Sequence, residues 1–315
     1  MRIIDKLLWV YYLIPNFQNT TVLSKAINVA FARILKKIFD FRIEKEPHRK
    51  PKIALNKKSE DDGDEIEIIA SLTSFPSRIN SAHVSIEGIF SQTIRPNRVI
   101  LWLATEQFPN EKKDLPQTIL NLEFRGLEIR FCDDIRSHKK YHYAIQENPN
   151  SLIVTFDDDL YYPKGIIKNL LTLHKKYPNC VVATRTHKMT FKQENLLPYK
   201  NWLHNYNKEK PSLFLMHTSG AGTLFPATIP FDSEFFNKDL FMKLSPKSDD
   251  VWMKVNLIRL GVKVVTNDTF NKDPITVKAA FSTSLVKTNS FEGGKDEQMK
   301  KVLEYFKLSI NGTEN

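Results

Sequence analysis

Three consecutive carboxylates, Asp157, Asp158 and Asp159, end the apolar run that begins Ser151-Leu-Ile-Val-Thr-Phe156, and Pro163 closes the segment. Carboxylates this close repel one another unless protons or a cation relieve them. A divalent ion with oxygen ligands does so and leaves positions open for a phosphate-bearing substrate; a plain acidic turn after a strand is the alternative. Ninety residues beyond Asp159, a second pair, Asp249-Asp250, opens the run Val251-Trp-Met-Lys-Val-Asn-Leu-Ile-Arg-Leu-Gly261, a short helix closed by glycine. A carboxylate at a helix start is stabilised as the anion and can accept a proton, while Ser248 or Asp249 as a helix cap is the structural alternative. Between the two acidic motifs lies His217-Thr-Ser-Gly-Ala-Gly-Thr-Leu-Phe-Pro226, whose small residues let backbone approach a ligand closely.

The intervening sequence alternates in period. Strands are predicted over 65–73, 98–104, 127–132, 151–156 and 180–184, and helices over 76–92, 114–124, 138–147 and 165–176. Such alternation implies right-handed crossovers and a mainly parallel sheet covered on both faces, with ligands outside the carboxyl ends of its strands. Thr73-Ser74, Asp133-Asp134 and Asp157-Asp158-Asp159 are then three polar strand ends on one rim. After Arg185 the alternation stops. Residues 186–210 are rich in His, Lys, Asn and aromatic side chains without a clear period, and a loop of that length inside a domain is usually functional. His187, His204 and His217 fall in the irregular region as possible contacts to a metal or a second substrate, and His217 is the one selected. Tyr199 and Trp202 either stack on a sugar ring or pin the loop. His138 and His142, four residues apart, either bind metal or face the core.

The charge is unevenly distributed. Of a net +10, residues 1–58 hold +9, with 13 Lys and Arg against 4 Asp and Glu, and the other 257 residues hold +1. The body therefore lacks the basic, aromatic-lined surface that nucleic acid requires. Residues 22–39 place Leu23, Ile27, Ala30, Phe31, Ile34, Leu35 and Ile38 at helical spacing among basic residues, either for an anionic membrane surface or for the protein's own core. The apolar stretch 7–14 is too short to span a bilayer, and polar residues break a signal-peptide pattern. Pro47, Pro51 and the charged stretch to Glu65 read as a linker. This gives a basic amphipathic helical arm with its linker over 1–64 and an α/β domain over 65–315. Cys132 and Cys180 read as reduced core residues, which suits a reducing compartment.

Taken in order, Ser71-Leu-Thr-Ser-Phe-Pro76, Asp134, the DxD-type Asp157-Asp158-Asp159, the small-residue segment and Asp249-Asp250 resemble GT-A glycosyltransferases over residues 66–265. The resemblance is greatest to bacterial family-two-like enzymes of capsular and cell-surface polysaccharide synthesis. It implies a Rossmann-like GT-A sheet, a nucleotide-sugar donor, a saccharide or lipid-linked acceptor and Mn²⁺ or Mg²⁺. Thr73, Asp134, Asp157 and Asp158 would lie at the nucleotide, held also by Lys139 or Lys140, and Gly220 and Gly222 would border the donor sugar. Asp159 would ligate the metal, with Asp157 and His217 as further metal candidates. Asp250 would be the general base, with Asp249 beside it, for an inverting transfer. The family's Ala-Arg-Asn signature is replaced by Ser137-His-Lys-Lys140, and Gln-x-x-Arg-Trp is absent, which argues against a processive synthase. The expected location is the cytoplasmic face of the cell membrane, reached peripherally through the arm. A non-catalytic sugar-binding scaffold is the main alternative. A phosphohydrolase would place its acidic motif after the first strand, and a nucleotidyltransferase would carry a Gly-rich basic loop where Thr73-Ser-Phe-Pro76 stands.

Overall fold

A computed structural model describes residues 3–13, 30, 34–35, 38, 66–277 and 294–313. The predicted alternation forms a three-layer α/β structure. Its strands are β1 (Ile68–Thr73), β2 (Arg98–Ala104), β3 (Leu127–Cys132), β4 (Leu152–Phe156), β5 (Val181–Ala183), β6 (Thr186–Lys188), β7 (Phe191–Lys192), β8 (Asn195–Leu196), β9 (Leu215–His217), β10 (Ala221–Phe225) and β11 (Val264–Val265). The helices are α1 (Ile3–Leu13), α2 (Ile79–Phe90), α3 (Gln117–Glu123), α4 (Lys139–Glu147), α5 (Ile166–Lys176), α6 (Lys238–Leu244), α7 (Asp249–Arg259) and α8 (Gly294–Tyr305). The third helix starts later than its periodicity suggests. Pro116 lacks an N–H and disfavours helical geometry at Leu115, so Asp114 ends a separate 3₁₀ turn.

The main sheet has the order β11-β5-β10-β4-β1-β2-β3. All its pairings are parallel except those of β10, which runs antiparallel between β4 and β5. Successive side chains of the central strands enter opposite cores. Ile69, Ile100 and Ile153 join Tyr141, Trp252 and Val255 on one face, and Ala70, Leu101 and Val154 join Ile86, Ile119 and Leu170 on the other. Helices therefore cover both faces, as the unbroken apolar strand runs require.

The period-free stretch after β5 contains β6 paired with β9, and the hairpin β7–β8. Trp202 is buried and donates through Nε1 to the Leu197 carbonyl at 2.7 Å, so it pins this segment. Antiparallel β10 was not legible, because its partners β4 and β5 precede it by some 40–70 residues.

Helix α1 packs on the body. Leu8 and Tyr11 share a small core with Leu35, Tyr161, Ile275 and Val277, and the Lys272 ammonium donates to the Tyr11 carbonyl at 2.7 Å. Most of the basic segment 22–39 lies outside the described residues; of those described, Leu35 is buried and Ile34 is exposed. Among the described residues, no helix is long and apolar enough to cross a membrane.

Candidate active site

The carboxyl ends of β1, β3, β4 and β5 form one rim. Because β10 is reversed, its amino end, preceded by Ser219 and Gly220, reaches the same rim. The acidic motif after β4 thereby meets the small-residue segment directly. Asp157 N–H donates to the Gly220 carbonyl at 3.1 Å, and Tyr162 Oη donates to the same oxygen at 2.6 Å.

The three aspartates have different surroundings. Asp158 is buried, accepts from Ser74 Oγ at 2.5 Å, and lies 3.1 Å from Arg78 Nη1. Burial raises its pKa against the opposing pull of Arg78 and Ser74. It thus ties the loop after β1 to the end of β4. Asp159 lies 3.0 Å from the same Arg78 nitrogen. Burial and repulsion from Asp157 push its carboxyl up to about 7, although Arg78 opposes them. Asp157 keeps 40% of its side chain exposed and takes the Lys140 ammonium at 2.6 Å.

Lys140 joins the two acidic motifs. Its side chain is buried, and besides Asp157 it lies 3.0 Å from Asp249 Oδ2. Burial alone would favour the neutral amine, but Asp157, Asp249 and Asp250 outweigh it and hold the lysine protonated. Asp249 is also buried and within 2.7 Å of Ser219 Oγ. Burial works against its charge, yet Lys140, His138 and Ser219 keep it well below the usual carboxylate range. Asp250 is more open. It accepts from Ser219 N–H at 2.9 Å, and its other oxygen lies 3.4 Å from Lys295 Nζ. Ser219 Oγ is also 2.8 Å from Asp250, so its one proton serves either carboxylate. No side-chain cap closes α7 at Ser248, and Asp249 occupies its first turn as the lysine's partner.

The remaining candidates are distributed around this network. Thr73 Oγ1 donates to the Trp102 carbonyl at 2.8 Å. Asp134 accepts from Lys139 and Gln107, each at 2.7 Å, and from the Arg136 N–H at 3.0 Å. Against the effect of burial, Lys139 and Arg136 hold it below its ordinary value. Lys139 and Lys140 thus serve different acidic groups. Gly222 has φ +101 at an irregularity in β10, where a Cβ would lie 2.9 Å from Ile166, so its glycine is required by backbone and packing. His217 is fully buried and pushed down to about 4 by burial, and the charges acting on it are Asp250, Lys254, Asp249 and Lys140. It falls on the side of the acid pair. His138 donates through Nε2 to the Ser245 carbonyl at 2.9 Å and lies 2.7 Å from Tyr141 Oη, fastening α4 to the turn before α7. Burial pushes it down to about 4, and His142 likewise, so both are neutral core residues.

Four contributors have weak signals in the sequence. Ser74 and Arg78 lie in the loop after β1, Ser219 is one of several small residues, and Lys295 is 45 residues from Asp250. Lys295 also lies over the Tyr199 ring at 4.6 Å, while Asp296 accepts from the Tyr199 N–H at 2.7 Å. The start of α8 is thereby fixed between the irregular segment and Asp250.

A divalent ion can be tested against these surroundings. Among the described residues, no three His, Cys, Asp or Glu side chains are placed to hold one. The accessible carboxylate of Asp157 and the repelled carboxylate of Asp159 nonetheless suit an ion that takes one or two protein oxygens and completes its shell with phosphate and water.

The backbone of Gly220 gives a sharper test of the same spot. A Cβ there would lie 1.6 Å from Asp157 Oδ2. Gly220→Ala is expected to displace this carboxylate from Lys140, lowering the melting temperature, and, if the spot binds a nucleoside diphosphate, to weaken that binding at least tenfold by calorimetry. Unchanged affinity would show that Asp157 does not face the ligand.

No family model matches the chain, and no curated protein matches it. Among solved structures, it is similar to CMP:2-keto-3-deoxy-manno-octonic acid synthetase complexed with CTP, at 9% identity and a TM-score of 0.38, over 64% of this chain and 88% of that one. The likeness is too remote to bear on function.

Proposed function

We propose that this chain is a GT-A-type glycosyltransferase that moves a sugar from a nucleoside diphosphate to an acceptor hydroxyl. The observation behind this reading is the bridge made by Lys140, which brings the acidic strand end and the acidic helix start, ninety residues apart in sequence, into one ion-paired site. Asp157 and Asp159 would hold Mn²⁺ or Mg²⁺, which when bound neutralises charge on the departing diphosphate. Gly220, having no side chain, would leave room for the Asp157 carboxylate beside the donor, with Thr73, Asp134 and Lys139 toward the nucleotide. Asp250, the more open of its pair, would remove the acceptor proton, and Asp249 would hold Lys140 in place. A single carboxylate opposite the leaving group suits one displacement with inversion. A saccharide or lipid-linked acceptor in surface polysaccharide synthesis is the matching substrate class, and the +9 charge of residues 1–58 would favour an anionic membrane surface.

The test is a donor screen. Purified protein is incubated with nucleotide sugars and Mn²⁺ or Mg²⁺, and release of nucleoside diphosphate is measured with and without chelator. Turnover of one donor that stops in chelator is the expected result. Full turnover by metal-stripped protein would remove the metal from the mechanism. Binding of a sugar without turnover of any donor would favour the scaffold alternative.

A further inference from the structure

Arg78 has a place in the site that the catalytic reading leaves unused. One guanidinium nitrogen, Nη1, lies 3.1 Å from Asp158 Oδ1 and 3.0 Å from Asp159 Oδ2, so a single cation bridges two members of the acidic motif. The side chain is largely buried, and its guanidinium lies over the Phe75 ring at 5.3 Å. Asp158 is fully engaged by Ser74 and Arg78 and serves as the anchor. Asp159 is the carboxylate that Arg78 and an incoming ion would both require. A divalent cation at Asp159 would be brought up against the guanidinium charge in a poorly screened setting, where like charges repel strongly. Phosphate oxygens offer that guanidinium an alternative partner, since its fork of donors matches phosphate as well as carboxylate.

We propose that Arg78 is the resident counter-cation of the acidic motif and competes with the divalent ion for Asp159, so that the ion loads together with a diphosphate, toward which the guanidinium turns. This rests on the metal-assisted reading above. It makes metal and donor binding mutually reinforcing, and such coupling is reciprocal: each ligand tightens the other by the same factor. It also keeps the site from holding an ion when no donor is present.

The experiment measures Mn²⁺ binding by the paramagnetic resonance of the free ion, with no substrate present. Wild type should bind Mn²⁺ weakly. Arg78→Gln should bind it at least tenfold more tightly, and Arg78→Lys, which keeps the charge, should stay near wild type. Because Arg78→Gln leaves buried Asp158 without its cation and could unfold, the comparison is repeated in Asp158→Asn, where Arg78→Gln leaves no such charge. The double variant should again bind Mn²⁺ at least tenfold more tightly than Asp158→Asn alone, and adding Asp159→Asn should abolish the gain. With UDP or GDP present, wild type should tighten its hold on Mn²⁺ and the Arg78→Gln proteins should tighten less. Equal Mn²⁺ affinity with and without Arg78, in folded proteins that do bind the ion, overturns the competition and leaves the metal-assisted reading intact. Absence of Mn²⁺ binding from every protein, with or without nucleotide, overturns both.

Discussion

Asp250→Asn is expected to remove nearly all sugar transfer, by a factor of about 10² to 10⁴, the usual contribution of a positioned base. Donor binding should be unchanged. Asp250 lies in the first turn of α7, and its oxygens meet Ser219 N–H and Lys295. An asparagine oxygen still accepts from Ser219, so the local fold is preserved and the loss falls on the proton acceptor. It should appear in kcat, because the interaction is made chiefly in the transition state. Asp249 differs. It is buried against Lys140 and Ser219, and Asp249→Asn should cost stability as well as rate. Transfer rate measured beside calorimetric donor affinity separates the two. Near wild-type transfer in Asp250→Asn with an inactive Asp249→Asn would move the base one residue upstream, and activity in both would rule the pair out.

Lys140→Met should destabilise the protein by roughly 3–5 kcal/mol at pH 7, the usual cost of removing one partner of a buried ion pair. The ammonium is the shared cation of Asp157 and Asp249, and without it Asp249 remains buried with no cation in contact, held by the Ser219 hydroxyl. The pH dependence should change sign. In the wild type Asp249 titrates below its unfolded value, so its contribution is present above that value and is lost only as pH falls through the folded one. In Lys140→Met burial loses its main opponent and raises the folded value above the unfolded one, so the deficit is smallest in acid and grows as pH rises through the folded value. Urea unfolding of both proteins at pH 5 and pH 7 measures this, and the gap should be wider at pH 7. Lys140→Met/Asp249→Asn should recover much of the loss. A deficit below about 1 kcal/mol at pH 7 would place the lysine with surface pairs.

Much of the framework was legible because it is local. The runs Leu152–Phe156 and Arg98–Ala104 are apolar on both faces and were read as buried strands, which the two cores confirm. Polar ends after such strands fall on one rim of a parallel sheet, which is what assigned Asp134 and Asp157 to the same rim. Helix α7 and its acidic start were likewise visible from spacing and a closing glycine.

The division of roles within each acidic motif was not legible. Asp157, Asp158 and Asp159 are chemically identical in sequence, and only the neighbours that reach them make one an anchor, one a repelled partner and one an open carboxylate. Likewise Lys139 and Lys140 are adjacent residues that turn to Asp134 and Asp157, and only the second also reaches Asp249.

By itself, the sequence determined the alternating strands and helices between residues 65 and 184 and the helix after Asp249-Asp250, which ends carry acid, and that the positive charge lies in the first 58 residues, because periodicity and charge are properties of neighbouring residues. Only the tertiary structure decided that reversed β10 enters between β4 and β5, bringing Ser219 and Gly220 to Asp157 and Asp250. It also decided that Arg78 and Lys295 come to the same rim. These are pairings between distant segments, selected by burial and charge compensation in the assembled core, and no local pattern encodes them.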